Sequence, residues 1–278
     1  MRLKLDHVTV CGSDLAAMRR AFARAGLTTG YGGPHSNGLT HMDQLAFRDG
    51  SYLELIAPMA PGHTASGMMG SWGRLMKGNA GAGAWAVQSE EIHDDVEALR
   101  SAGIEVRGPE RGSRKRPDGL ALEWETAVVG SGAAGSMLPF LIHDKTPRSL
   151  RVPKAAEIPV DGVAAVLLGV GDLAKAIALL RSAYGLERVL VEAPPDLGAE
   201  LAHFAETPVI LAAPLDKKSW LHARLERFGE CPGAFLLKSG DLAQATQRFS
   251  LAEAAPLFGR KLAWFDENNL GSRIGVIE

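Results

Sequence analysis

Cysteine is scarce. Only Cys11 and Cys231 occur in 278 residues. Two isolated cysteines supply neither a disulfide framework nor the paired spacing of a structural zinc site. No apolar run reaches the ~18 residues of a membrane-spanning helix, so a membrane-spanning reading is not expected. Charge of one sign is lacking too. The chain has 30 Lys and Arg against 32 Asp and Glu, a formal net charge of −2. Such a balance argues against general binding to nucleic acid or to a membrane surface. No Walker motif, Gly-x-Ser-x-Gly elbow or Cys-x-x-Cys occurs. The run GSGAAG from Gly130 has the form of a dinucleotide loop but no strand-to-helix context, and it reads as a hairpin tip. The opening MRLKLDHVTV reaches Asp6 and His7 too early for a secretory signal, so a cytoplasmic location is expected. The chain is 46% apolar and 22% charged, ordinary for a globular protein. Its length suggests about two domains of roughly 100–200 residues each.

One short unit recurs. SDLAAM from Ser13, GDLAKA from Gly171 and GDLAQA from Gly240 each follow an apolar run, and SEEIHD from Ser89 is a weaker fourth copy. Each copy reads as strand, cap residue and amphipathic helix. Gly26, Gly103 and Gly185 stand where the first three helices need a positive-φ cap. The fourth has Ser250-Leu251 there, so its helix should be shorter. Short β-branched or aromatic segments separated by turn signals follow each helix. The unit is therefore β-α-β-β-β, with ferredoxin-like βαββαβ as the rival reading. The expected fold class is α+β: four βαβββ modules paired into two cupped, open mixed-sheet half-barrels. The first pair should occupy residues 1–146 and a degenerate second pair 158–278. Asp144–Asp161 reads as the linker between them, and WLHARLERF in a later connector as one helix. Met68, Met69, Trp72 and Met76 lie in the connector of the first pair and read as packing rather than as a lid.

The first copy carries residues that the others lack. His7 lies on the strand face opposite Val8 and Val10, so it should face the cleft. Glu54 sits in the apolar strand YLEL, where a carboxylate is costly unless paired or metal-bound. The counterparts of His7 are Ala84, Ala165 and Ala234. The counterpart of Glu54 is Ile210 in copy three and lies near Pro139 or Phe140 in copy two. Folding thus does not demand His or Glu at these positions. A core histidine and an arginine-paired glutamate remain the plainer alternative.

LDHVTV with SDLAAM, GGPHSNGLTH, GSYLELIAP, RKRPDGLALEW and LPFLIHD, taken in order, resemble the vicinal-oxygen-chelate superfamily and within it the glyoxalase-like domain proteins. The resemblance spans residues 5 to 143; the second half shares only the βαβββ rhythm. It implies a divalent metal held by His7 on strand one and Glu54 on strand four, with Zn, Fe, Mn and Ni all suited to imidazole and carboxylate. For a third ligand the order of preference is His41, His35, His143. The alternative role for His35 is to orient substrate, since GGPH resembles a family loop. The RPDG match points to Arg116, in the charged hairpin loop Arg111–Arg116, as a clamp for an anionic group. Glu123 is a candidate general base, and Trp124 a candidate substrate contact. Neighbours on a strand point opposite ways, so one of these two should face the cleft. The expected function is a metal-dependent isomerase or lyase acting on a small oxygenated, anionic substrate. The alternatives are a metal-free small-molecule binder and a ring-cleaving dioxygenase. A monomer or homodimer is expected.

Overall fold

The computed structural model describes residues 3–60 and 72–278. Two eight-stranded mixed sheets form the frame. The first contains β1 (Leu5–Cys11), β2 (Gly30–Pro34), β3 (Thr40–Ala46), β4 (Tyr52–Pro58), β5 (Gly81–Gln88), β6 (Val106–Lys115), β7 (Ala121–Val129) and β8 (Phe140–Asp144), in the order β2-β3-β4-β1-β5-β8-β7-β6. The second contains β9 (Gly162–Gly169), β10 (Val189–Glu192), β11 (Ala199–Phe204), β12 (Val209–Pro214), β13 (Cys231–Lys238), β14 (Ala255–Leu257), β15 (Arg260–Trp264) and β16 (Ile274–Ile277). It repeats that order as β10-β11-β12-β9-β13-β16-β15-β14. Each sheet is two βαβββ modules joined through their first strands, antiparallel β1–β5 and β9–β13. This is the α+β architecture of two cupped sheets that the repeat implies. No helix among the described residues is long and apolar enough to cross a membrane.

The module helices begin and end as their sequences require. Asp14, Asp172 and Asp241 accept hydrogen bonds from the backbone N–H groups of Ala17, Lys175 and Gln244. Glu91 makes no such cap bond. Gly26, Gly103 and Gly185 all have positive φ. The fourth helix, Leu242–Phe249, is the shortest of the four, and Ser250 itself adopts the left-handed conformation that caps it. WLHARLERF forms the helix Trp220–Phe228. Trp72 and Met76 are packed into the interior; Met68 and Met69 lie outside the described residues.

Strand alternation sorts side chains to two faces. Val8, Val10, Leu53 and Leu55 pack on the helix side, in one core shared with Val166, Leu168 and Phe235 of the second sheet. Arg224 ties the halves together, donating to the carbonyls of Ala80 (2.6 Å), Ala82 and Pro232 (2.6 Å). The concave face of the second sheet is filled by apolar side chains, among them Leu167, Leu201, Ile210, Leu221, Leu236 and Leu262. The first sheet keeps polar groups on its concave face and is drawn nearly shut. Its two edge strands meet where His35 and Arg114 form a bridge and the Ser36 N–H donates to the Ser113 carbonyl at 3.1 Å. Gly33, at φ +106°, permits this approach, because a Cβ there would overlap the Lys115 carbonyl oxygen.

Candidate functional site in the first sheet

β1 and β4 run parallel with His7 opposite Tyr52 and Thr9 opposite Glu54. His7, Thr9, Tyr52 and Glu54 therefore share the concave face, and all four are buried. Thr9 Oγ1 donates to Glu54 Oε2 at 3.0 Å. No Arg or Lys nitrogen lies within 4.0 Å of the Glu54 carboxylate among the described residues. What approaches it is two imidazoles: His7 Nε2 stands 3.6 Å from Oε2, and His35 Nε2 stands 3.8 Å from Oε1. The alternative of an arginine-paired glutamate is not what the structure shows.

Each imidazole is fixed from behind. His7 Nδ1 lies 2.6 Å from Asp6 Oδ1. Burial alone would favour neutral Asp6, but Arg151, the hydrogen bond to His7 and Arg148 together hold its carboxyl far below the usual carboxylate range. An ionised Asp6 accepts a hydrogen bond from Nδ1–H, and in that tautomer Nε2 is the nitrogen that faces Glu54. The 3.6 Å between Nε2 and Oε2 leaves room for a proton, a water or a cation between them. The His7 ring stacks on Tyr52 at 4.7 Å between centroids and meets Phe140 edge-on at 5.4 Å. Burial pushes the Tyr52 hydroxyl well above its ordinary pKa, keeping it neutral. His35 sits at the tight β2–β3 connection, its N–H bonded to the Thr40 carbonyl at 2.9 Å and its Nδ1 2.9 Å from Thr40 Oγ1. Burial lowers the His35 pKa, which favours its neutral form.

The other sequence candidates are distributed by the pleat. His41 and Asp43 point to the helix side of β3, where Asp43 is gripped by Arg19, while Met42 lines the cleft. His41 thus stands on the opposite face from Glu54 and packs against the Tyr31 ring. His143 likewise faces away from the cleft and lies 3.0 Å from the Ser89 carbonyl. Trp124 lines the cleft and Glu123 is exposed on the other face of β7. Arg116 is at the surface, paired with Asp118 at 2.6 Å.

Sequence reasoning passed over Arg114. The basic stretch read as a hairpin loop is β-strand through Lys115. The Arg116–Leu120 turn sets Arg114 opposite Leu122 and Gly112 opposite Trp124. Leu122 and Trp124 point inward, so Arg114 does as well. Counting back from Pro117-Asp118-Gly119 would have found it. Arg114 is buried and lines the cleft with His7, His35 and Glu54. Aromatic and aliphatic side chains, Met42, Trp72, Trp124, Phe140 and Ile142, close the rest around a small cavity of about 30 Å³.

Two imidazoles and a carboxylate are the right donor types for a divalent ion. Metal–ligand bonds of about 2.0–2.2 Å can span each of the two nitrogen–oxygen gaps. The two imidazoles address different oxygens of Glu54, however. As placed, no group of three or more His, Cys, Asp or Glu among the described residues is gathered into a metal-holding cluster.

Residues 5–184 match the glyoxalase-like domain family. No curated protein matches the sequence. Among solved structures, a hypothetical protein from Staphylococcus aureus aligns over 99% of this chain and 98% of its own, with 15% identity and a TM-score of 0.66. A mutant of 4-hydroxymandelate synthase from Streptomyces coelicolor aligns over 100% of this chain and 92% of its own, with 10% identity and a TM-score of 0.64. Both likenesses concern the fold.

Proposed function

The chain belongs to the glyoxalase-like domain family, and from that premise we propose that it is a metal-dependent vicinal-oxygen-chelate enzyme of the isomerase or lyase type. Its substrate would be a small, oxygenated anion. The observation that carries this reading is the pair of imidazole Nε2 atoms set 3.6 and 3.8 Å from a buried carboxylate that has no arginine or lysine partner. His7, His35 and Glu54 are the residues that would hold the ion. Once bound, a divalent ion supplies Lewis acidity toward two neighbouring oxygens of a substrate.

The protein's own groups do the remaining work. Asp6 fixes the His7 tautomer, Thr9 orients Glu54, and Tyr52 presents a neutral stacking face. The aromatic wall excludes water and so strengthens each electrostatic contact. Arg114 adds positive charge to the cleft wall, which favours an anionic substrate or a developing enolate.

The test is a thermal-shift series on EDTA-treated protein with Zn(II), Mn(II), Ni(II) and Fe(II). At an ion concentration of 100 Kd, stabilisation of about 2.7 kcal/mol is expected, and it is lost in His7→Ala, His35→Ala and Glu54→Gln. No stabilisation by any of the four ions refutes the reading and leaves a metal-free binder, with which the apolar wall of the cleft is compatible. A second reading has a specific observation behind it: two histidines and one carboxylate are also the donor kind of non-haem Fe(II) oxygenases. Oxygen uptake by the Fe(II)-loaded protein in the presence of small phenolic or 2-oxo acids would favour that reading.

A further inference from the structure

A second cavity, of about 520 Å³, lies along the seam where β2 meets β6, beneath the segment 149–154. It adjoins the cleft, since Arg114 and Arg151 line both. Its charged groups are Arg114, Arg116, Asp118, Arg151 and Lys154. Four of these have counter-ions. Arg116 and Asp118 pair with each other, Arg151 pairs with Asp6 and Asp144, and Lys154 lies 3.8 Å from Glu157. Arg114 has no carboxylate within 4.0 Å among the described residues; Glu54 acts on it only from across the cleft. Its acceptors are all neutral: the Gly32 carbonyl, Gln44 Oε1 at 3.0 Å and the Arg151 carbonyl at 3.0 Å. Three acceptors for five N–H donors leave its capacity unfilled.

Beside it, Gln44 shows the same want. A guanidinium has no acceptor, so the Gln44 amide must turn its oxygen to Arg114. That leaves Nε2, which is buried, without a partner. A buried amide donor without an acceptor is costly, and so is a buried cation with no carboxylate in contact. A water can satisfy the amide but does not answer the charge. A group that is both negatively charged and a strong acceptor satisfies both.

We infer that the seam cavity is an oxyanion-binding site, which takes a carboxylate or a phosphate between the Arg114 guanidinium and the Gln44 amide. Arg116 and Lys154 stand at its rim. The cavity, at about 520 Å³, is far roomier than the cleft at about 30 Å³, and the two share Arg114 and Arg151, so an organic anion anchored here lies directly against the cleft. The inference does not rest on the metal reading, and its test is carried out without metal.

Inorganic phosphate and malonate are each titrated calorimetrically into EDTA-treated full-length protein, at ionic strength held constant with sodium chloride. Gln44→Met and Arg114→Lys are titrated in parallel, with circular dichroism to confirm folding. Saturable binding of at least one of the two anions is expected, weakened about tenfold by Gln44→Met, as for loss of one charge-assisted hydrogen bond. Arg114→Lys, which keeps the charge but loses the planar fork, should weaken it by tenfold or more. Preference for phosphate marks a phosphorylated ligand, and preference for malonate an organic acid. The inference is overturned if neither anion binds more tightly than about 10 mM, or if Gln44→Met binds with unchanged affinity. Should Arg114→Lys fail to fold, Gln44→Met decides alone.

Discussion

Replacing Asp6 with Asn tests how the cleft is held. The Asp6 carboxylate is fully buried and shared among three donors: His7 Nδ1 at 2.6 Å, Arg151 Nη2 at 2.7 Å, and Arg148 Nη1. Asn has nearly the same shape but no charge, so Arg151 would keep only Asp144 as a counter-ion. Removing one partner of a buried ion pair costs about 3–5 kcal/mol. Because Asp144 and the Tyr52 hydroxyl still accept from Arg151, the lower end, about 3 kcal/mol, is expected. Urea denaturation of the EDTA-treated protein at pH 7 measures it as a fall in midpoint at constant slope.

The pH dependence carries a sign. Arg151, His7 and Arg148 hold the Asp6 pKa below its unfolded value in spite of burial. Its stabilisation is therefore complete above the unfolded value of about 3.9 and is lost as pH falls below it. The difference between wild type and Asp6→Asn should be full at pH 7 and shrink below about pH 4. A difference under about 1 kcal/mol at pH 7, or one that does not shrink in acid, refutes this account. The substitution also reaches the metal reading. An Asn Nδ2–H directed at His7 Nδ1 moves the ring proton to Nε2, facing Glu54, and metal affinity should fall about 10–100-fold.

Three further substitutions separate the halves. Gly33→Ala forces a Cβ into the Lys115 carbonyl at a positive φ, whereas Gly38→Ala has positive φ with open space around it. The first should cost about 1–3 kcal/mol more than the second in chemical denaturation, and equal losses would show that the seam does not need glycine. Leu221→Ala, in the apolar fill of the second sheet, should cost about 2–5 kcal/mol while metal and anion titrations stay unchanged. A loss of binding there would mean that the second sheet contributes directly to ligand recognition.

Much of the frame was legible because it is written four times. The aspartate caps, the glycines at three helix ends and the serine at the fourth are local signals, and the backbone follows them. The faces of β1 and β4 were legible too, since alternation within an apolar strand assigns His7 and Glu54 to one side. The third donor was harder. His41 lies in a strand whose inward residues are Met42 and Gln44, and alternation turns it outward. His35 lies beyond the strand end, where no period applies, and reaches Glu54 only because the β2–β3 turn and the β2–β6 seam set its height. Arg114 was hidden by composition. Four basic residues within six positions resemble a solvated loop, and only the register counted from the Pro117-Asp118-Gly119 turn shows that one of them enters the interior.

The four copies also act as an internal control on cost. The same strand pairing that sets Thr9 beside Glu54 sets Ala86 beside Phe140, Leu167 beside Ile210 and Leu236 beside Gly275. Three of four modules thus fold with apolar side chains or glycine at this register, and the second sheet closes its concave face entirely in that way. The first module instead keeps a carboxylate out of water with one hydroxyl as its hydrogen-bond donor. It sets two imidazoles against that carboxylate and adds a buried arginine with no carboxylate within 4.0 Å among the described residues. Burial of such groups is unfavourable unless a partner answers them. The fold has a cheaper solution at every equivalent position. Retention of the costly one in a single cup, together with an adjoining cavity of about 520 Å³, supports the two proposals, a cation at Glu54 and an anion at Arg114.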